Sequence, residues 1–300
     1  MLPFFLSPVA FYNNYLRRCF TASGLSPQAV DVDNETTIHF WGPSKNTQKS
    51  SLVLIHGYGP VALWQWRKQV QFFSPKFNVY VPDLLFFGGS TTKSPERSEI
   101  FQAVSVVKLL EKLGVERFSV MGTSYGGFVA YHIARMWPER VEKVVIASSG
   151  VNMRRRHNEE LVKRAKLEKI EDLMLPATTN QFRALMSLAV FKRHNMVPDF
   201  LLNDVINKLY SEKRKEKLEL LKGLSFAKDD TTSVSPLQQE VLILWGDHDQ
   251  IFPLELATEL KELLGEKARL EVMKNASHVP QIENPPLFND IVNKFLCESS

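Results

Sequence analysis

Between Phe118 and Ala130 the chain reads Phe-Ser-Val-Met-Gly-Thr-Ser-Tyr-Gly-Gly-Phe-Val-Ala: an apolar, β-favouring run meets Gly-x-Ser-x-Gly and continues in small and apolar residues suited to a buried helix. It predicts strand, tight turn, helix. So sharp a turn holds Ser124 in a strained backbone conformation and brings strand and helix so close that the flanking positions tolerate little more than a hydrogen atom. Gly122 and Gly126 meet that demand. The Ser124 hydroxyl then stands at the carboxyl edge of a sheet, and the amide of Tyr125 opens the following helix, aimed where negative charge would develop. A lone Gly-x-Ser-x-Gly also occurs as an ordinary turn, so the flanking sequence decides.

That flanking sequence alternates. Strand candidates at 36–41, 51–55, 77–83, 118–123 and 141–149 are separated by segments at 63–73, 100–113 and 128–137 with helical spacing of apolar residues. Steady alternation of strand and helix means parallel pairing through right-handed crossovers, an α/β sheet with helices on both faces. The pattern breaks at Gly150. From 151 to 235 there is no convincing strand, but helix-compatible runs occur at 159–171, 180–193 and 199–221, with 17 basic against 12 acidic residues. Strands resume at 240–245 and 268–273. The expected organisation is an apolar, aromatic segment over 1–35, a core formed by 36–150 and 236–300, and an inserted helical region over 151–235.

The stretch around Ser124 resembles the nucleophile elbow of the α/β-hydrolase fold, and four further motifs resemble that family in the same order. His56-Gly57-Tyr58-Gly59 follows a buried strand, as the family's oxyanion loop does. Asp83-Leu84-Leu85-Phe86-Phe87-Gly88-Gly89-Ser90 is similar to its Asp-Leu-x-Gly-x-Gly-x-Ser loop, with two phenylalanines where small or polar residues are common. Gly246-Asp247-His248-Asp249 leading to Pro253 resembles the acid loop, and the segment Ser277 to Pro285 resembles the histidine loop.

The resemblance implies a mostly parallel central sheet with helices on both faces, an inserted helical cap, and a catalytic set of Ser124, Asp249 and His278 in the family's chain order. Asp247 is the runner-up acid. The amides of Tyr58 and Tyr125 are the expected oxyanion donors, Gly122 and Gly126 the elbow glycines, and His56 and Asp83 loop organisers. Serine at the elbow disfavours the branches that need aspartate there. No metal or organic cofactor is implied.

The expected activity is hydrolysis of a carboxylic ester of an apolar acyl group, by a carboxylesterase or monoacylglycerol lipase type of enzyme. Met153, Leu173, Met174, Leu175, Phe182, Leu185, Met186, Leu188, Val190 and Phe191 are candidates for an apolar pocket wall, and Phe86-Phe87 for apolar surface near the site. His56-Gly57-Tyr58-Gly59-Pro60 is also similar to the loop of carbon–carbon bond hydrolases of dienoic diketones, the second reading, which lacks a clear recognition set for an acidic substrate. A receptor that keeps the triad without turnover is the third.

Charge of mixed sign and no nucleic-acid motif exclude nucleic acid as an expected partner. Arg154-Arg155-Arg156 and Lys213-Arg214-Lys215 read as solvated faces. Cys19 and Cys297 give no disulfide framework and no metal spacing, so a reducing, cytoplasmic compartment is expected. In residues 1–20, Pro3 and Pro8 interrupt the apolar run that includes Phe4, Phe5 and Leu6, and Arg17-Arg18 follow it, unlike a secretory signal. A helix packed on the body is expected there, and weak peripheral membrane contact through this segment or the basic cap is the alternative.

Overall fold

The structure is a computed structural model that describes residues 7–45, 47–192, 197–232 and 234–298. Phe4, Phe5, Leu6 and His194 lie outside the described residues. Nine strands form one sheet: β1 (Leu25–Asp31), β2 (Thr36–Pro43), β3 (Ser51–Ile55), β4 (Asn78–Pro82), β5 (Thr91–Thr92), β6 (Phe118–Thr123), β7 (Val141–Ala147), β8 (Glu240–Gly246) and β9 (Ala268–Met273). Their order is β1-β2-β4-β3-β6-β7-β8-β9, with β5 paired to β2. From β4 to β9 the sheet is parallel, and β1, β2 and β5 add antiparallel pairings at one end.

Helices cover both faces, so the central strands are apolar on both sides, as buried parallel strands are. Leu52 and Leu54 of β3 join Val145, Leu242 and Leu244 in one core, which Trp66, Val70 and Phe73 of α2 (Ala62–Phe73) and Phe288, Val292 and Phe295 of α12 (Pro285–Cys297) complete. Val53 and Ile55, pointing the other way, join Val120, Ile146 and Ile243 under α3 (Glu99–Lys112), α4 (Tyr125–Met136) and α10 (Leu254–Leu264). Successive strands from β3 leave in opposite directions, to β4 on one side and β6 on the other, which opens a crevice at their carboxyl ends. The Gly57 loop and Ser124 emerge into that crevice.

Within the apolar, aromatic segment expected over 1–35, where no strand was anticipated, lies the edge strand β1. Its register places Pro27 opposite Trp41. A sheet edge tolerates a proline because one side of the strand needs no ladder donor, and the sequence Leu-Ser-Pro-Gln-Ala-Val-Asp lacks the β-branched density that would announce a strand. Upstream, α1 (Pro8–Ala22) is capped by Ser7, whose hydroxyl accepts the Ala10 N–H. It packs Val9, Leu16, Cys19 and Phe20 against the body. Among the described residues no helix is long and apolar enough to cross a membrane.

Between β7 and β8 lie α5 (Arg155–Ala165), α6 (Ile170–Met174), α7 (Thr179–Ala189), α8 (Asp199–Val205) and α9 (Arg214–Lys222). The run expected as one helix over 199–221 is broken: α8 passes into a single π turn, Ile206–Tyr210, and Lys213 adopts φ 49° before α9 starts. The basic clusters are not simply solvated faces. Arg154 holds Glu259 through two nitrogens, at 2.5 and 2.9 Å. Lys213 Nζ donates to the carbonyls of Gly88 and Ser90, each at 2.9 Å, and Arg214 to that of Leu175 at 2.6 Å. These side chains fasten the helical insertion to α10, to the loop after β4 and to itself.

Candidate active site

Ser124 takes φ 52° and ψ −123° at the junction of β6 and α4. A non-glycine residue pays on the order of 1–3 kcal/mol there, and the strain persists because its neighbours over-determine it. The Ser124 N–H donates to Ala147 O at 2.9 Å, while Ser124 O accepts the Ser149 hydroxyl at 2.6 Å and the Gly127 N–H at 2.9 Å. A Cβ on Gly122 would sit 2.0 Å from Gly126 O, and one on Gly126 2.2 Å from Ile55 O. Both are backbone contacts that cannot yield, so both glycines are required by space.

His278 and Asp249 arrive from the opposite side. His278 Nε2 lies 3.0 Å from Ser124 Oγ, and Nδ1 lies 2.9 Å from Asp249 Oδ2. Asp249 Oδ1 accepts the N–H groups of Ile251 and Phe252, each at 2.9 Å, which fixes the carboxylate plane. The Asp249 side chain is fully buried. Asp247 points elsewhere, with Oδ2 3.6 Å from Lys274 Nζ and Oδ1 3.8 Å from His248 Nε2. The three residues selected from sequence therefore meet, and the runner-up does not join them.

The Gly57 loop abuts the same serine, since a Cβ on Gly57 would lie 3.0 Å from Ser124 Cβ. Gln65, on the first turn of α2, clamps this loop: its Oε1 accepts the Gly57 N–H at 2.8 Å, and its Nε2 donates to Gly57 O at 3.2 Å and Pro60 O at 3.0 Å. His56 Nδ1 also meets Gly57 O, at 2.8 Å. In a trans peptide the Tyr58 N–H points away from that tethered carbonyl. Tyr125, the first residue of α4, carries an amide that the helix cannot use internally.

His56 is structural, as expected. Its Nε2 accepts the Leu84 N–H at 2.9 Å, and complete burial holds its imidazole below the ordinary value, which keeps the accepting nitrogen free of a proton. Asp83 likewise organises its loop, meeting His39 Nδ1 at 2.8 Å and the Ala62 N–H at 3.2 Å. Phe86 and Phe87 do not line the site. Phe86 has φ 71° and packs under the Arg97 guanidinium, while the Phe87 ring lies edge-on to the rings of His56 and Tyr58 and supports them from behind.

Two cavities meet at Ser124 and Tyr58. The larger, of about 290 Å³, is walled by Trp64, Phe182, Leu185, Met186, Val190 and Ile282 among others, and also touches His278. The smaller, of about 60 Å³, lies against Phe128, Met153, Leu161, Ile170, Leu221 and Phe252. Met174 and Ile251 border both. None of the described residues lining either cavity is Lys, Arg, Asp or Glu. Of the pocket candidates, Met153, Met174, Phe182, Leu185, Met186 and Val190 line these cavities. Leu173, Leu175 and Leu188 are core residues instead, and Phe191 packs on His248 at 4.6 Å between ring centroids. Among the described residues no cluster of three or more His, Cys, Asp or Glu is arranged to hold a metal ion.

Two residues with evident positioning roles were not assigned one from sequence. Gln65 stands with Gln69 on the buried, otherwise apolar face of α2, and these polar intrusions are the available signal. Glu283, which falls within the segment resembling the histidine loop, bonds the Ser277 N–H in that loop and the Phe191 N–H after α7, both at 2.6 Å.

Residues 51–285 match the family described as alpha/beta hydrolase fold. The 2-hydroxymuconate semialdehyde hydrolase of Pseudomonas sp. strain CF600 is 28% identical over 266 residues, 83% of this chain and 87% of that protein. Among solved structures, a membrane phospholipase A superimposes with a TM-score of 0.78 at 22% identity, covering 96% of this chain and 90% of that one. The 2-hydroxy-6-oxo-6-phenylhexa-2,4-dienoate hydrolase of Rhodococcus sp. strain RHA1 gives 0.77 at 20% identity, covering 91% and 99%. At these identities the structural likenesses establish the fold.

Proposed function

The chain belongs to the alpha/beta hydrolase fold family, and we propose that within it the protein is a serine hydrolase that cleaves a carboxylic ester with an apolar acyl group. The observation that carries the ester reading is the absence of any charged side chain among the described residues lining the two cavities at Ser124. A carboxylate-bearing substrate buried there would lose its hydration with no lysine or arginine among the described lining residues to replace it, a cost of several kcal/mol. An alkyl chain meets a wall that is mainly apolar, from Trp64, Phe182, Leu185, Met186, Val190 and Ile282.

In this reading His278 Nε2 takes the Ser124 proton as Oγ attacks the carbonyl carbon, and Asp249 holds the Nδ1–H tautomer and stabilises the imidazolium. The Tyr58 and Tyr125 amides receive the oxyanion, each donor being worth about 10²–10³ in rate. The imidazolium then protonates the departing alcohol. Water deprotonated by His278 attacks the acyl-enzyme, the acid leaves, and Ser124 regains its proton.

The second reading is hydrolysis of a carbon–carbon bond in a dienoic diketone. It is favoured by the names of the curated relatives, which designate hydrolases of 2-hydroxymuconate semialdehyde and of 2-hydroxy-6-oxononadienedioate, at 28% and 26% identity. Those names support this alternative more directly than the ester. The deciding experiment labels the protein with a fluorophosphonate, with Ser124→Ala as control, and compares kcat/KM for p-nitrophenyl acyl esters with that for 2-hydroxymuconate semialdehyde and its 6-phenyl dienoate analogue. Labelling of Ser124 with turnover of esters alone supports the ester reading. Faster turnover of the dienoates overturns it in favour of carbon–carbon hydrolysis.

A further inference from the structure

Among the described residues, every large apolar side chain left exposed belongs to one of five helices: Phe11, Tyr12 and Tyr15 on α1, Met186 on α7, Phe200 on α8, Ile282 on α11 (Pro280–Glu283) and Leu287 on α12. Scattered exposed apolar residues need no explanation, but a cluster does. Here two of them line the larger cavity, and the helices that carry the three on α1 and Phe200 on α8 are joined to its wall. Met186 and Ile282, 39% and 49% exposed, line it and so mark where it meets solvent. Trp64, another lining residue, donates through Nε1 to Asn13 Oδ1 at 2.5 Å and packs edge-on against the Tyr12 ring, 4.8 Å between centroids. The start of α1 is bound to α8 through Asp204, which accepts the Ser7 hydroxyl at 2.7 Å and the Val9 N–H at 3.0 Å. Arg183 of α7 grips Asp199, the neighbour of Phe200, at 2.6 Å. Phe11 and Phe200 are 79% and 58% exposed.

On α1 and α2 the charge has one sign, and the acids of neighbouring α8 are engaged, Asp204 by α1 and Asp199 by Arg183. Neither α1 nor α2 contains an acidic residue, while together they carry Arg17, Arg18, Arg67 and Lys68. Arg17, Arg18 and Lys68 form no ion pair with any described residue, and the Arg67 guanidinium lies over the Tyr15 ring at 5.6 Å. By contrast, Arg154, Lys213 and Arg214 of the insertion are occupied by protein acceptors. Aromatic and aliphatic side chains beside free arginines and a lysine are the chemistry of an interfacial helix on an anionic bilayer.

We infer that α1, with Phe200 of α8, docks the protein onto an anionic lipid surface and sets the opening beside Met186 and Ile282 against the bilayer. The aromatic rings enter the headgroup region while Arg17, Arg18 and Lys68 meet lipid phosphates. A substrate could then pass from bilayer to cavity with little exposure to water.

Binding is read without turnover, so its outcome is separate from the identity of the cleaved bond. The test is co-sedimentation of the full chain with phosphatidylcholine vesicles with and without phosphatidylserine, across a salt series. Two variants accompany it, Phe11→Ser with Phe200→Ser, and Arg17→Gln with Arg18→Gln. Expected are binding that needs phosphatidylserine and weakens with salt, and a loss of about tenfold or more in each variant. Hydrolysis of a soluble short-chain ester, or of whichever soluble substrate the protein turns over, stays unchanged in both. No binding to the anionic vesicles, or binding that neither variant alters, overturns the inference. So does light scattering that finds a dimer which Phe11→Ser with Phe200→Ser converts to monomer, because the surface would then meet a second copy.

Discussion

Glu283 accepts the Phe191 N–H at 2.6 Å with one carboxylate oxygen and with the other holds the Ser277 N–H, so one side chain ties the histidine loop to the end of α7. Two further bonds run the same way: the His278 N–H donates to Ala189 O at 3.1 Å, and the Ser277 hydroxyl lies 3.0 Å from Leu188 O. The proposed base is thus positioned by the insertion that walls the cavity. Charge-assisted bonds of this kind contribute about 1.5–3 kcal/mol each.

Glu283→Gln replaces one acceptor oxygen by a donor that faces an N–H, and is expected to lower kcat by about tenfold to a hundredfold, as about 1.4–2.8 kcal/mol implies. KM should change little, since Glu283 lines neither of the two cavities at Ser124. Steady-state kinetics with the best substrate check this. An unchanged kcat would mean that the loop is held well enough by the Ala189 and Leu188 carbonyls alone.

Asp249→Asn is expected to reduce kcat by about 10⁴, because the amide oxygen will satisfy Ile251 and Phe252 and turn the NH₂ toward His278 Nδ1, which selects the wrong tautomer. Asp247→Asn should stay within about threefold of the parent, since its nearest cation is Lys274 and it does not reach the imidazole. Burst and steady-state assays of both variants decide the assignment. A larger loss at Asp247 would reverse it.

What could be read from sequence was what sequence-local rules dictate. The elbow was legible because three neighbouring constraints coincide at Gly122, Ser124 and Gly126, and the histidine loop because its spacing resembles one known arrangement. Strand β1 was not legible, since this edge strand contains Pro27, buries only Leu25 fully and has little β propensity to display. Gln65 and Glu283 act on backbone groups 8 and 92 residues away, in Gly57 and Phe191, and no local pattern encodes such partners. The basic clusters misled for the same reason: whether Lys213 is solvated depends on the carbonyls of Gly88 and Ser90, which only the fold brings within reach.

Lys217 gives a pH signature. Its Nζ is buried 3.3 Å from Leu209 O and 5.0 Å over the Phe87 ring, and burial pulls its ammonium down to about 8, with Glu212 working against that shift. An unfolded lysine titrates near about 10.4. Between those values the unfolded chain binds more protons than the folded one, so this group's contribution to stability rises with pH across the window, and its full cost, about 3 kcal/mol, applies below pH 8. Lys217→Met should therefore be more stable than the parent at neutral pH, with the gap closing toward about pH 10. The Tyr58 hydroxyl bonds the Lys217 backbone carbonyl, which the substitution keeps. Urea unfolding at several pH values checks the slope, and a gap that is constant or widens with pH contradicts the buried-ammonium account.

The larger cavity should set the preferred acyl length. At about 290 Å³ it lies near the lower bound of small-molecule sites, and its wall between Trp64 and Ile282 is apolar. Each methylene buried there contributes up to about 0.8 kcal/mol, so kcat/KM should climb by roughly two- to fourfold per added carbon until the space is filled, then fall. Leu185→Ala with Met186→Ala enlarges the cavity on its α7 side, toward the opening, while leaving Phe182, whose ring packs on Tyr210 at 5.7 Å and belongs to the insertion's own core. The optimum should move to longer chains by several carbons, with kcat on a short ester nearly unchanged because neither residue is near His278 or the Gly57 loop in the bonding network. The measurement is kcat/KM from acetyl to palmitoyl esters in both proteins. A profile that is highest at acetyl and indifferent to the double substitution would remove the acyl group from this cavity and shift weight to the dienoate reading.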